Sequence, residues 1–91
     1  EDMPYDRFTA EQIAGDLLPD ATLSSRIATG FHRNHAVAPD GDGQPGEFHH
    51  QYIADRTATF ATTWLGLSVG CAECHDHKFD PITQRDYYGL Y

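Results

Sequence analysis

The fold is decided by the stretch EFHHQYIADRTATFATTWLGLSV, which runs from Glu47 to Val69 and contains no proline. Its large side chains recur on one side of a helix of about six turns. We call these side chains the aromatic stripe: Phe48, Tyr52, Phe60, Trp64 and Leu67. Threonines lower the intrinsic helix propensity of the stretch, so packing of the stripe must stabilise it. The sequence therefore predicts one long core helix that is ended by Gly70.

Two shorter helices are predicted before the core helix. Apolar residues recur every three to four positions from Asp6 to Leu18, and Pro19 should end that helix. Thr22 is the expected N-cap of a second helix, which runs from Leu23 to Thr29. Gly30 follows it and is expected to adopt a positive φ, as residues after a helix often do.

A long loop is predicted between the second helix and the core helix. From His32 to Gly46 the chain is rich in glycine, proline and aspartate and has no periodicity. Asp40 and Asp42 resemble the start of a calcium loop, but the later spacing does not fit, so calcium binding and a solvated turn both stay open. Thr83 can cap a last helix, which makes the predicted class all-α with about four helices.

The composition excludes several functions. The 91 residues correspond to one small domain, residues 1–91, whose core is marginal for its size. With 6 Lys+Arg and 14 Asp+Glu the net charge is −8, so the basic face needed to bind nucleic acid is missing. No apolar run is long enough to span a membrane. Both ends interrupt a pattern, and we therefore expect the chain to be part of a longer polypeptide with other domains.

The chemistry is concentrated in Cys71-Ala72-Glu73-Cys74-His75, a C-x-x-C-H motif. Two thiols at this spacing can bind neighbouring vinyl groups of one haem, and the histidine that follows can ligate the iron. We therefore expect one covalent haem c, with His75 as the proximal ligand, and an all-α domain packed around it. A zinc site that also uses His77, a redox dithiol and a plain disulfide are the alternatives.

The sixth iron ligand is less constrained by the sequence. Methionine is excluded beyond the motif because Met3 is the only methionine. His77 lies only two residues beyond the proximal ligand, so a hydrogen bond on the surface or near a propionate suits it better. His32 is the first choice, since it follows a helix and lies in a loop. The remaining alternatives are an open or water-bound iron and three other histidines: His35, His49 and His50.

Three further residues are expected near the haem. Trp64 precedes the motif by about two helical turns and is expected to pack close to the cofactor. Arg33 and Lys78 flank the segments assigned to the haem and are candidates to pair with its propionates. For both cations, a solvated surface position is the alternative.

Five stretches carry a resemblance that covers nearly the whole chain: Tyr5–Phe8, Gln12–Pro19, Ala28–Asn34, Trp64–Ile82 and Gln84–Tyr88. Together they resemble the cytochrome-like domain of large secreted planctomycete-type proteins. The resemblance implies a c-type haem domain within a longer, exported polypeptide. It also implies that the attachment residues of that family correspond to Cys71, Cys74 and His75.

The function expected from these features is electron transfer by a mono-haem c-type cytochrome. No combination of nucleophile and base is visible, which favours an electron carrier over an enzyme. The negative charge would attract a redox partner with a basic docking face. Covalent haem attachment also predicts a periplasmic or extracellular location. A peroxidase-type haem enzyme and a zinc-stapled structural module are the alternative functions.

Overall fold

The computed structural model describes residues 2–35 and 45–91. Within these ranges all regular elements are helical and no residue lies in a strand, which confirms the all-α class there. The α-helices are α1 (Tyr5–Ala14), α2 (Leu23–Ala28), α3 (Pro45–Phe60) and α4 (Gln84–Leu90). Short helical segments of other types are the 3-10 helices Thr29–Arg33 and Gly70–Glu73 and the π-helical turn Ala61–Leu65.

The contacts divide the chain into two compact units, Glu1–Asn34 and His35–Tyr91. The predicted loop from His32 to Gly46 lies mostly outside the described residues, as do Asp40 and Asp42 of the suggested calcium loop. Its first two residues are part of a 3-10 helix rather than a loop. Across the described ranges, no helix has the length and apolar character needed to cross a membrane.

In the first unit, α1 is shorter than predicted and ends at Ala14 instead of Leu18. Gly15 follows directly, and an added Cβ there would lie 2.1 Å from the carbonyl oxygen of Ser25 in α2. The chain then leaves the α-helical pattern with a hydrogen bond from the Leu17 N–H to the Ala14 carbonyl, three residues back. The helix α1 thus ends well before Pro19, and only glycine fits at its close approach to α2.

An ion-pair network holds α1 to the turn that follows it. Arg7 Nε donates to Glu11 at 2.6 Å, and Arg7 Nη2 donates to Asp20 at 3.1 Å. The hydrogen bond from Arg7 lowers the pKa of Asp20 below its usual value. Sequence periodicity did not predict this network because Arg7 and Asp20 are thirteen residues apart.

The start of α2 is as predicted, but its end is not. Thr22 Oγ1 accepts the Ser25 N–H at 3.2 Å, and Ser25 Oγ accepts the Thr22 N–H at 2.8 Å, which confirms Thr22 as the N-cap. The positive φ expected at Gly30 is wrong. The chain tightens into the 3-10 helix Thr29–Arg33 at that point, so it needs no left-handed residue there.

In the second unit, the predicted core helix is divided. It begins at Pro45, changes to a π-helical turn after Phe60 and ends at Leu65. Gly66, with φ of 65°, is the left-handed residue that ends it, so the prediction that Gly70 does so is wrong. Glycine suits this position because it has no Cβ to clash in the left-handed region.

The aromatic stripe is less buried than predicted. Its members on α3 and the π-helical turn are only half-buried, and Leu67 is 37% exposed. Because the helix ends at Leu65, the chain after it turns away, and Leu67 is no longer on the helix face. The buried core of this unit consists of Ala61, Val69, Ala72 and Tyr87, with Ile82 and Tyr91 packed against it.

The last helix confirms the predicted cap. Thr83 Oγ1 accepts the Asp86 N–H at 3.1 Å, and Asp86 Oδ2 accepts the Thr83 N–H at 2.9 Å. The Thr83 hydroxyl also donates to Asp86 Oδ2 at 2.7 Å, and this bond, followed by that from the Thr83 N–H, lowers the pKa of Asp86 because both favour its charged form. The cap fixes where α4 begins, and with it the position of the buried Tyr87.

We expect Gly15→Ala to destabilise the first unit by about 2–3 kcal/mol, because the new methyl group would overlap backbone atoms that cannot move independently. Urea unfolding followed by circular dichroism at 222 nm measures the loss. Gly30→Ala is the matched control, since an added Cβ there meets nothing within 4 Å. The control should be neutral or slightly stabilising, and equal losses in both variants would contradict the close approach.

Candidate functional site

The C-x-x-C-H motif forms a tight turn that displays its two thiols. Cys71 lies in the 3-10 helix Gly70–Glu73, and the N–H of Cys74 bonds to the Cys71 carbonyl. Both thiols are free and exposed, whereas Ala72 between them is fully buried in the core. The turn is thus anchored through Ala72, and its thiols are accessible.

The imidazole of His75 is oriented by its own neighbour. Its Nδ1 lies 2.8 Å from the carbonyl oxygen of Asp76. A carbonyl oxygen can only accept, so Nδ1 carries the hydrogen. In the neutral ring the lone pair is then on Nε2, which is the nitrogen left to bind a metal. His75 is exposed.

Glu73, inside the motif, attaches the turn to two helices. Its backbone carbonyl accepts from Gln84 Nε2 at 3.0 Å and from the Tyr88 hydroxyl at 3.1 Å, both in α4. Its carboxylate accepts from His50 Nε2 of α3 at 3.0 Å. The spacing of the motif does not predict this role, because every partner lies at least eleven residues away.

Tyr87 supports Glu73 from inside the core and is 1% exposed. Burial and the nearby Glu73 carboxylate raise the pKa of Tyr87 to about 12. Burial is the larger cause, because a phenolate would lose its hydration in the core. The hydroxyl therefore stays protonated beside the Glu73 carboxylate.

His50 and Tyr91 complete the contacts of the carboxylate. His50 Nδ1 lies 2.6 Å from the Tyr91 hydroxyl, while its Nε2 bonds to Glu73. Both ring nitrogens are therefore engaged in hydrogen bonds, and ligation of iron by His50 would require breaking one of them. His49, its neighbour on α3, is exposed.

His77 organises the loop that follows the motif. Its Nδ1 accepts the N–H of Asp80 at 2.9 Å and that of Phe79 at 3.3 Å, so this nitrogen carries no proton. The Asp80 carboxylate is also 3.5 Å from Nδ1, but without a proton there the two cannot form an ion pair. The backbone N–H of His77 donates to the Ile82 carbonyl at 2.8 Å and so closes the loop.

The candidates for the sixth ligand have contacts of their own. His32 lies in the first unit, where its Nε2 is 2.9 Å from the carbonyl oxygen of Ile13. His35 lies in the second unit and accepts a hydrogen bond from Arg56 at 3.0 Å through Nε2. Because Ile13 offers only an acceptor, His32 Nε2 carries the hydrogen. The assignment of His32 stays a prediction.

The residues expected to surround a haem lie in different parts of the chain. Trp64 is half-buried in the π-helical turn, and Arg33 is exposed in the first unit. Lys78 is exposed, with its Nζ 5.1 Å from the ring centroid of Phe79. This is a cation–π contact, and it was not predicted. The propionate contacts proposed for Arg33 and Lys78 stay predictions.

The zinc alternative lacks a ligand set in the ranges 2–35 and 45–91. There, no three histidine, cysteine or acidic side chains are grouped so that they could hold a metal ion. His77 uses Nδ1 within its own loop.

The fold and site define an all-helical domain built around a displayed C-x-x-C-H turn. Over residues 1–91 the chain matches PSCyt2, described as a protein of unknown function (DUF1549), and it belongs to this family. The family is a domain found in planctomycete-type proteins and a module of larger proteins. No curated protein and no solved structure matches the chain.

We expect one of the five tyrosines to ionise only near pH 12. The variant Tyr87→Phe should remove this last ionisation step. Absorbance of tyrosinate at 295 nm follows the titration. Since the pKa of Tyr87 in the folded chain lies above its ordinary value of 10.0, the unfolded chain ionises first, and stability should fall as pH rises from about 10 to 12.

Tyr5→Phe is the control for this titration, because Tyr5 is 71% exposed. That variant should retain the last ionisation step. Glu73→Gln should lower the last step only in part, since burial is the larger cause. A last step that survives in Tyr87→Phe would show that another residue is responsible.

Proposed function

We propose that this domain is a mono-haem c-type cytochrome that carries out electron transfer. The observation that carries the proposal is the turn at Cys71–His75. It combines two free, exposed thiols with an imidazole whose Nδ1 hydrogen is held by the Asp76 carbonyl. This donor set suits covalent haem attachment better than a closed zinc site, which would use four ligands.

Each residue of the turn has a separate task in this proposal. Cys71 and Cys74 would hold the haem covalently, each by addition of its S–H across a vinyl group, which needs reduced thiols and no oxidant. His75 would bind the iron through Nε2, and the Asp76 carbonyl keeps the ring in the required tautomer.

Electron transfer uses the haem for its one-electron couple, while the chain supplies attachment, orientation and a low-water environment. Rigidity matters here, because a fixed site reorganises little when its charge changes. Glu73 provides it by joining the turn to α3 and α4 through three hydrogen bonds. A peroxidase-type enzyme would instead need an open iron site and a distal acid or base.

The partner and location follow from the same proposal. A net charge of −8, made more negative by propionates, favours a redox partner with a basic docking face. Because c-type attachment takes place outside the cytoplasm, we place the domain in the periplasm or outside the cell, within a larger exported polypeptide. His32 is our candidate for the sixth ligand. To bind through Nε2 it must give up its bond to Ile13.

We expect one covalently bound haem per chain when the protein is exported during expression. The pyridine haemochrome spectrum measures it after extraction with acid–acetone. The single variants Cys71→Ser and Cys74→Ser should shift the band to longer wavelength, because one vinyl group stays conjugated. The double variant should retain no covalent haem.

Ser68→Ala is the control, since this exposed hydroxyl lies three residues before the motif. It should leave the haem content unchanged. Complete extraction of haem from the wild-type chain, or a haem-free wild type with correctly folded helices, would contradict the proposal. One zinc ion per chain in that haem-free protein would favour the structural module.

We expect the ferric wild type to be low-spin and His32→Ala to become high-spin, with increased affinity for cyanide, because the sixth position opens. Optical spectra and cyanide titration measure both effects. His49→Ala, which changes an exposed histidine of α3, should leave the spectrum unchanged. If the two variants behave in the opposite way, His49 is the ligand. A high-spin wild type would instead support the peroxidase-type function.

A further inference from the structure

We propose that the loop from His77 to Ile82 presents Phe79 as an apolar wall against the haem that Cys71 and Cys74 hold. This inference rests on the proposed function and adds a positioning residue to it. Neither the motif nor its spacing assigns a role to Phe79, which lies four residues after His75.

Phe79 is unusually exposed for its residue type. Its exposed fraction is 83%, larger than that of any other exposed large hydrophobic residue in the described ranges. A phenyl ring in water gains free energy when an apolar surface covers it. The ring therefore has a driving force to bind an apolar group.

Hydrogen bonds within the loop fix its backbone at Phe79. His77 Nδ1 accepts the N–H of Phe79 and the N–H of Asp80, and the backbone N–H of His77 bonds to the Ile82 carbonyl. Ile82 in turn packs against the buried core. The backbone position of Phe79 is thus set before any ligand binds, which reduces the entropy lost on contact.

The haem is the occupant because it would be tethered beside this loop. Both thiols are exposed, and Ala72 on the opposite side of the turn is fully buried, so a group bound to the thiols lies on the outer surface. The loop begins only two residues after the proposed proximal ligand, His75. A haem attached there needs apolar atoms to cover its macrocycle, and Phe79 supplies them.

The positive charge of Lys78 beside Phe79 is complementary to the same ligand, the haem. Lys78 Nζ lies 5.1 Å from the centre of the Phe79 ring. The pair therefore combines an apolar face with one positive charge at its border. A haem has the complementary chemistry, with an apolar macrocycle and anionic propionates at one edge. Covering the macrocycle limits solvent access, which raises the potential of the iron.

The test uses the chain with its covalent haem and phenylalanine labelled with ¹³C in the ring. Phe79→Ala identifies the Phe79 resonance among the five phenylalanines. Comparison with the haem-free variant Cys71→Ser/Cys74→Ser then shows whether the haem shifts it. The midpoint potential is measured for the wild type, Phe79→Ala, Phe79→Leu and the control Leu17→Ala, whose side chain is 79% exposed.

We expect the Phe79 resonance to shift strongly when the haem is present. The potential should fall in Phe79→Ala, recover in part in Phe79→Leu and stay unchanged in Leu17→Ala. A covalent haem that leaves both the Phe79 resonance and the potential of Phe79→Ala unchanged would overturn the inference alone. A wild type without covalent haem would overturn the inference and the proposed function together.

Discussion

The arrangement of the site depends on the attachment of Glu73 to its surroundings. Its carbonyl is bound by two side chains of α4, and its carboxylate is bound by His50 of α3 and lies near the buried Tyr87. Among the residues that the structure describes, the buried apolar core contains only four, so apolar packing alone would hold the turn weakly. Polar contacts to Glu73 supply the remaining stabilisation of the turn. The two cysteines can therefore face solvent without the turn losing its shape.

Local signals in the sequence predicted the structure well where local interactions decide it. The caps at Thr22 and Thr83 were correct, because a capping box is completed within four residues. The helix ends at Gly15 and Gly66 were missed. At Gly15 the decisive contact is with a carbonyl ten residues away, and periodicity carries no information about such a contact.

The candidate site shows the same contrast between local contacts, which the sequence predicts, and long-range contacts, which it does not. Spacing alone placed Cys71 and Cys74 on one turn, and the structure has both thiols exposed there. It could not show that Glu73 bonds to His50, because these residues are separated by twenty-three positions. The use of His77 as an acceptor within its loop was also missed, since the sequence does not reveal which ring nitrogen is protonated.

The π-helical turn between α3 and Gly66 has a geometric consequence. Such a turn contains one residue more than an α-helical turn, and each residue of an α-helix corresponds to about 100° of rotation. Deleting one residue there would return the segment to α-helical geometry. The aromatic side chains of α3 would then rotate by roughly that angle relative to the chain that follows Gly66. The π-helical turn thus determines the angle between α3 and the chain after Gly66. A single insertion or deletion in Ala61–Leu65 would change that angle.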